Sequence, residues 1–190
     1  MLRLFFFAAL LGLTACNSGG FTLWGTHHDP KYGPHNFAFF NQDRDLRTVV
    51  QGNPFPTENQ QMVAEKVAAS MRGRNAFGYT HFTTTPDETA NPNTSLVVRF
   101  NPTHGYTGAR LCSDPSPAPA LANPGGEVTM VMSYCLRETA LAWIRGGTAL
   151  PASPDDPVFQ EMMGNAMQNL IPFRNPFFPG GEGNCQTNNC

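Results

Sequence analysis

Two segments in which apolar residues recur at helical spacing most constrain what this chain can fold into. The first spans residues 58–72, behind a capping box that begins at Thr57, and the second begins at Pro157 and ends before Pro172. Each has one apolar side, so each helix needs an apolar surface to cover. The apolar positions are Val63, Val67 and Met71 in the first segment and Phe159, Met163, Ala166 and Leu170 in the second.

Five other segments have the composition of β-strands. Residues 127–135 and 139–145 are separated by a short turn, which predicts an antiparallel hairpin. Residues 96–100 predict a buried strand, and residues 46–51 and 77–84 predict two more. The order of elements predicts a two-layer α+β domain, in which an antiparallel or mixed sheet of about 4–5 strands is covered by two amphipathic helices. Pro and Gly gather between these segments, so the domain is predicted to be loop-rich.

The first fifteen residues have the pattern of a secretory signal peptide. Arg3 is followed by an apolar run of about ten residues, which is too short to span a membrane. The sequence Leu13-Thr14-Ala15-Cys16 then resembles the bacterial lipobox. This resemblance implies cleavage before Cys16 and lipidation of that cysteine. The alternative is an ordinary signal peptide that happens to end near a cysteine.

The lipobox also predicts a location and a division of the chain. Asn17 stands where an Asp would often signal retention in the inner membrane. The resemblance therefore favours an outer-membrane lipoprotein facing the periplasm, with the inner membrane or the cell surface as alternatives. Residues 16–44 are predicted to form the lipidated N-terminus, a tether and an irregular lead-in. Residues 45–172 are predicted to form the α+β domain, and residues 173–190 a tail rich in Pro, Gly and Asn.

Four cysteines follow the lipobox, and an even number of cysteines in an exported protein predicts disulfides. We favour a pair between Cys112 and Cys135, which brackets a Pro-rich loop and would tie two strand ends together. We also favour a pair between Cys185 and Cys190, which closes a small ring in the tail. The alternatives are the two other pairings and a zinc site of four thiolates, although the sequence has no C-x-x-C pair.

Three histidines in the lead-in form the candidate metal site. His27, His28 and His35 surround Asp29, and imidazole and carboxylate groups are ligands for zinc, copper or nickel. The two adjacent histidines would point to opposite faces if they lay on a strand. The competing interpretation is that all three are solvated side chains of a tether.

The composition argues against several classes of function. The chain has 12 basic and 14 acidic residues and a net charge of −2, which argues against nucleic-acid binding. It contains no G-x-S-x-G motif, no Walker loop and no G-x-G-x-x-G motif. Asp155 and Asp156 are explained as the start of a helix at Pro157 rather than as paired catalytic acids. The sequence therefore favours a protein with no catalytic residues and no cofactor.

The sequence contains several turn and packing motifs, namely Gly52-Asn53-Pro54-Phe55, Phe82-Thr83-Thr84-Thr85-Pro86, Phe100-Asn101-Pro102, Cys135, and Asp156-Pro157 with Phe159. As a whole, this pattern resembles small uncharacterised lipoproteins of proteobacteria, over about residues 46–178. The resemblance is carried by turn and packing signatures. It implies a fold and a location, but no activity, because that family has none assigned.

Two functions follow as predictions. The first is a non-enzymatic envelope lipoprotein, attached to the membrane through lipid on Cys16 and acting by contact with an envelope protein partner. The second is a periplasmic lipoprotein that binds a metal or a small ligand through His27, His28 and His35.

Overall fold

The architecture is known from a computed structural model, which describes residues 20–75, 79–114, 126–172 and 176. The described residues form six strands and four helices. In chain order these are β1 (Phe21–His28), α1 (Pro34–Asn41), β2 (Arg44–Gln51), α2 (Gln60–Met71), β3 (Thr80–Thr83), β4 (Thr94–Phe100), α3 (Gly108–Ser113), β5 (Glu127–Leu136), β6 (Thr139–Ala149) and α4 (Pro157–Leu170).

All six strands belong to one open mixed sheet, in the order β1-β6-β5-β4-β2-β3. β5 and β6 form the predicted antiparallel hairpin, and β4 and β1 extend it on its two sides in antiparallel pairing. β2 pairs in parallel with both β4 and β3. The α+β class and the mixed sheet are thus confirmed. The sheet is larger than the predicted 4–5 strands because β1 forms from the segment expected to be irregular.

The main core lies between one face of the sheet, called here the front face, and α2 and α4. The predicted apolar sides of both helices are buried there, including Val63, Val67, Phe159 and Leu170. Asp156 caps α4 by accepting a hydrogen bond from Val158 N, as the sequence predicted. α2 starts later than predicted, because the side chain of Asn59 is its N-cap.

The opposite face of the sheet, called here the back face, is also covered in part, so the two-layer prediction is incomplete. α3 packs on β5 and β6 there and forms a second apolar cluster. This six-residue segment has no helical periodicity in the sequence, and Gly105 and Gly108 predicted a loop there. The cluster contains Val97, Tyr106, Leu111, Cys112, Val131 and Cys135.

Residues 20–44 were predicted to be a tether and an irregular lead-in, but they form β1 and α1 and belong to the domain. α1 is fixed by Asn41, whose side chain is fully buried. Asn41 Nδ2 donates to Phe37 O at 2.9 Å and to Tyr134 Oη at 2.8 Å, and Asn41 Oδ1 accepts from Thr94 Oγ1 at 2.9 Å. One amide side chain thereby links α1 to β4 and β5. Burial raises the pKa of Tyr134 to about 12.

None of the helices in the described ranges combines the length and the apolar character that crossing a membrane would require.

Candidate functional site

The two adjacent histidines of the candidate metal site lie on β1 and are divided between the faces of the sheet. His27 is exposed on the back face, where its ring lies 5.7 Å from the ring of Trp143. His28 is half-buried on the front face, 4.9 Å from the ring of Tyr32. His28 Nε2 donates to Leu170 O, the last carbonyl of α4, at 3.1 Å. His28 therefore joins an edge strand to a helix of the core.

The third histidine, His35, is exposed in α1. In the residues that the structure describes, no three or more His, Cys, Asp or Glu side chains are grouped so that they could hold one metal ion. His27, His28 and His35 are therefore not brought together. They remain separate side chains with different surroundings.

His28 gives the fold a dependence on pH. Burial lowers the pKa of His28, and the charge of His27 lowers it further, against the opposing effect of the hydrogen bond to Leu170 O. The folded protein therefore holds His28 neutral at a pH where the unfolded chain already binds a proton. This contribution to stability is present in full above 6.5, the pKa of His28 in the unfolded chain, and it is lost as the pH falls below that value.

We expect the urea concentration at the unfolding midpoint of the wild-type protein to decrease as the pH is lowered from about 7.5 to about 5.5. His28→Gln keeps a donor for Leu170 O but cannot be protonated, so its midpoint should fall less steeply. Unfolding curves at a series of pH values measure both slopes. Equal slopes in the two proteins would contradict a role for His28.

The structure also contains a histidine–aspartate pair that was not predicted from the sequence. His81 lies on β3 directly opposite Asp45 on β2, and His81 Nδ1 lies 2.7 Å from Asp45 Oδ1. The other carboxylate oxygen of Asp45 accepts from the backbone N–H of Asp87 at 3.0 Å. Thr89 donates to Asp87 from both its hydroxyl and its backbone N–H, and these bonds hold the pKa of Asp87 below its usual value. Only the parallel pairing of β2 and β3 brings Asp45 to His81.

The carboxylate of Asp45 orients the imidazole of His81, which lines an open groove beside α2. An imidazole held in this way can accept a proton or provide one metal ligand. No hydroxyl or thiol in the described ranges is hydrogen-bonded to His81, so the pair lacks the partner that a nucleophilic mechanism requires. His104, the remaining histidine, lies in an exposed turn after β4.

The cysteines divide into one described pair and three residues outside the described ranges. Cys112 of α3 and Cys135 of β5 form a disulfide, with their Cα atoms 5.6 Å apart. This pairing confirms the prediction, although it joins a helix to a strand rather than two strand ends. Cys16, Cys185 and Cys190 lie outside the described residues, so the lipidation and the second disulfide stay predictions.

The two ends of the sheet differ in what they expose. β1 begins at Phe21, which lies opposite Thr148 near the end of β6. The first residues of β1 therefore lie at the end of the sheet where β2, β4 and β6 finish. At the other end lie Phe39 in α1, with 77% of its surface exposed, and Tyr79 just before β3, with 71% exposed. The eight residues of β2 separate the two ends by about 23 Å. We call this far end, with Phe39, Phe40 and Tyr79, the aromatic end.

Comparisons with known proteins give a distant structural likeness. No protein-family model and no curated protein matches the sequence. Among solved structures, the chain is similar to a PelC variant from Paraburkholderia phytofirmans, determined as a dodecamer. The identity is 13% and the TM-score 0.43, and the match covers 81% of this chain and 99% of that chain. The likeness is too distant to support any argument about function.

Proposed function

We propose that the protein is a lipoprotein of the bacterial envelope, anchored in the outer membrane through lipid on Cys16 and acting by contact with a periplasmic protein. The observation that carries the proposal is the distance along the chain between the lipobox and β1. Only five residue steps separate Cys16 from Phe21, and they reach at most about 17 Å. A lipid on Cys16 would therefore hold the end of the sheet at Phe21 close to the membrane surface.

The disulfide supports an oxidising compartment. Cys112 and Cys135 are both buried where α3 meets the sheet, and bonds of this kind persist in exported proteins. The short connection also determines which surface is available to a partner. With the Phe21 end at the membrane, the aromatic end points into the periplasm, and its exposed rings are typical of a protein contact surface.

Replacement of the anchoring cysteine tests the location. We expect Cys16→Ser to remain unprocessed or to leave the membrane fraction, whereas the wild-type protein should sediment with outer membranes. The matched control is Asn17→Asp, which should still be processed but should move to the inner membrane. Cell fractionation with immunoblotting measures both variants. A cleaved Cys16→Ser product that stays with the outer membrane would contradict the anchor.

Crosslinking in cells tests the aromatic end. A photoreactive phenylalanine analogue at Phe39 or Tyr79 should capture a defined envelope protein, because both side chains are largely exposed. The same analogue at Glu65, which is exposed on α2, is the control and should capture none. Phe39→Ser should weaken capture from Tyr79 without changing the unfolding midpoint. Equal capture from all three positions would reject the aromatic end as the contact surface.

A further inference from the structure

An open pocket of about 200 Å³ lies beside β1 and β6, where the segment 102–106 follows β4. It is distinct from the groove at His81 and from the aromatic end. Trp24 of β1 lies directly opposite Arg145 of β6, and Arg145 lies opposite Val131 of β5, so the three side chains share the back face of the sheet. Trp24, His104, Tyr106 and Arg145 are among the residues that line the pocket.

Arg145 is the main charged group of this pocket. One of its donors is used, because Nη2 donates to Tyr106 O at 2.8 Å. Its Nε is buried and has no acceptor among the described residues. The guanidinium also lies 5.4 Å from the ring of Trp143. A planar guanidinium held by a carbonyl and a ring retains donors that can bind an oxyanion.

No carboxylate in the described ranges balances this charge. None of the residues that line the pocket is acidic, and no described Asp or Glu forms a salt bridge with Arg145. The remaining segments of the chain, which lie outside the described residues, contain a single acidic residue, Glu182 in the tail. Leaving a partly buried cation without a counter-charge is costly, so an anion that enters the pocket gains from the charge already placed there.

Two further arginines, Arg99 and Arg110, lie close to the pocket on the ring of Tyr106, and Arg110 also pairs with Asp114 at 3.8 Å. The guanidinium of Arg99 lies 4.6 Å from the centre of the Tyr106 ring, and that of Arg110 lies 5.2 Å from it. Tyr106 N donates to Thr103 O at 3.1 Å, which closes a tight turn. Gly105 in that turn has a φ of 77°, a conformation that favours glycine, and the turn leaves His104 exposed beside the pocket. A second nitrogen donor is thus available on the rim.

Trp24 supplies an apolar side to the same pocket. Its side chain is 42% exposed, and its ring passes close to β6 at Gly147, where an added Cβ would lie 3.2 Å from Trp24 Cη2. The indole can therefore lie against the strand while it keeps surface exposed at the pocket. An exposed aromatic ring beside a cationic group is suited to a ligand that has both an anionic and an apolar part.

We propose that this pocket binds a phosphate ester, with the phosphate on Arg145 and His104 and the organic part against Trp24. A phosphate group has several oxygens, which can accept hydrogen bonds from two donors that approach from different directions. The binding proposal rests on the pocket itself and does not depend on lipidation of Cys16.

Two sources provide this chemistry, a phospholipid headgroup and a soluble phosphate ester. Eight residue steps separate Cys16 from Trp24, and they reach at most about 28 Å. An anchored protein can therefore place the pocket at the membrane surface. Trp side chains are enriched at that level of a membrane.

Calorimetry on the full-length mature protein in neutral detergent tests the proposal. The probes are glycerol 3-phosphate and a short-chain phosphatidylglycerol, with glycerate as a probe that carries a carboxylate instead. We expect saturable binding of at least one phosphate probe and about tenfold weaker binding of that probe by Arg145→Gln, which corresponds to about 1.4 kcal/mol. Tighter binding of the short-chain lipid would identify the headgroup as the source, and tighter binding of glycerol 3-phosphate would identify the soluble ester.

Two further variants keep the test decisive. Arg137→Gln removes an exposed arginine at the opposite end of the sheet, in the β5–β6 turn, and should bind like the wild type. If Arg145→Gln does not fold, Trp24→Leu replaces a part-exposed side chain and should weaken binding about threefold. The absence of saturable phosphate binding by the wild type, equal binding by Arg145→Gln, or equal affinity for glycerate would overturn the proposal.

Discussion

We expect Gly108→Ala to lower the free energy of unfolding by about 3 kcal/mol, because α3 cannot stay in place with a side chain at that position. A Cβ on Gly108 would lie 2.0 Å from Trp143 Cβ and 2.1 Å from Trp143 Cγ. These atoms are near the backbone of β6 and cannot rotate away as the end of a flexible side chain can. Either α3 or β6 must therefore move, and the second apolar cluster would lose its packing.

Urea-induced unfolding measures this loss, and a second glycine provides the matched control. An added Cβ on Gly164, in the middle of α4, would lie 3.0 Å from Arg74 Nε. The Arg74 side chain is flexible and can shift, and alanine favours a helix over glycine by up to about 1 kcal/mol. Gly164→Ala should therefore be neutral or stabilising. If Gly108→Ala and Gly164→Ala were equally stable, the close approach of α3 to Trp143 would contribute nothing to the free energy of unfolding.

Removal of the Cys112–Cys135 disulfide should cost about 3 kcal/mol of unfolding free energy. The bond joins residues that are 23 positions apart, so it restricts the unfolded chain, and it ties α3 to β5 in the folded protein. The double variant Cys112→Ala with Cys135→Ala should show the loss in urea under non-reducing conditions.

A second sample distinguishes the effect of losing the cross-link from the effect of replacing the side chains. It is wild-type protein that is unfolded, reduced and then refolded with its thiols blocked by a small reagent. Both this protein and the double variant lack the bond, so both should lose similar stability. A double variant as stable as the oxidised wild type would contradict the expected contribution. Peptide mapping without reduction, carried out on the same samples, also tests the predicted pairing of Cys185 with Cys190.

The sequence predicted those elements whose signals are local. The hairpin of β5 and β6 follows from two β-like segments separated by a short turn, and α4 follows from Asp156, Pro157 and its apolar spacing. In these elements, propensity, capping and burial all favour one conformation. The pairing of Cys112 with Cys135 was also predicted, from the Pro-rich segment between them.

The elements that were missed depend on distant contacts. β1 has no regular alternation of buried and exposed residues, and it is a strand because β6 provides its hydrogen-bonding partner. α3 has only six residues, and its position depends on Gly108 and the disulfide. The polar sites were missed for the same reason, since register brings Asp45 to His81 and Trp24 to Arg145. A single sequence does not show which residues of two distant strands lie opposite each other.

The pairing of β1 with β6 has a consequence for the order in which this domain can form. Phe21 and Thr148 are partners although more than a hundred residues separate them along the chain. Contacts of such long range form slowly, and β6 exposes an open edge until they do. We expect hydrogen exchange to release the amides of β1 at a lower free energy than those of β4 and β5. If the chain is exported N-terminus first, as the proposed lipoprotein would be, β1 would be among the first segments to leave the cytoplasm and the last to join the sheet.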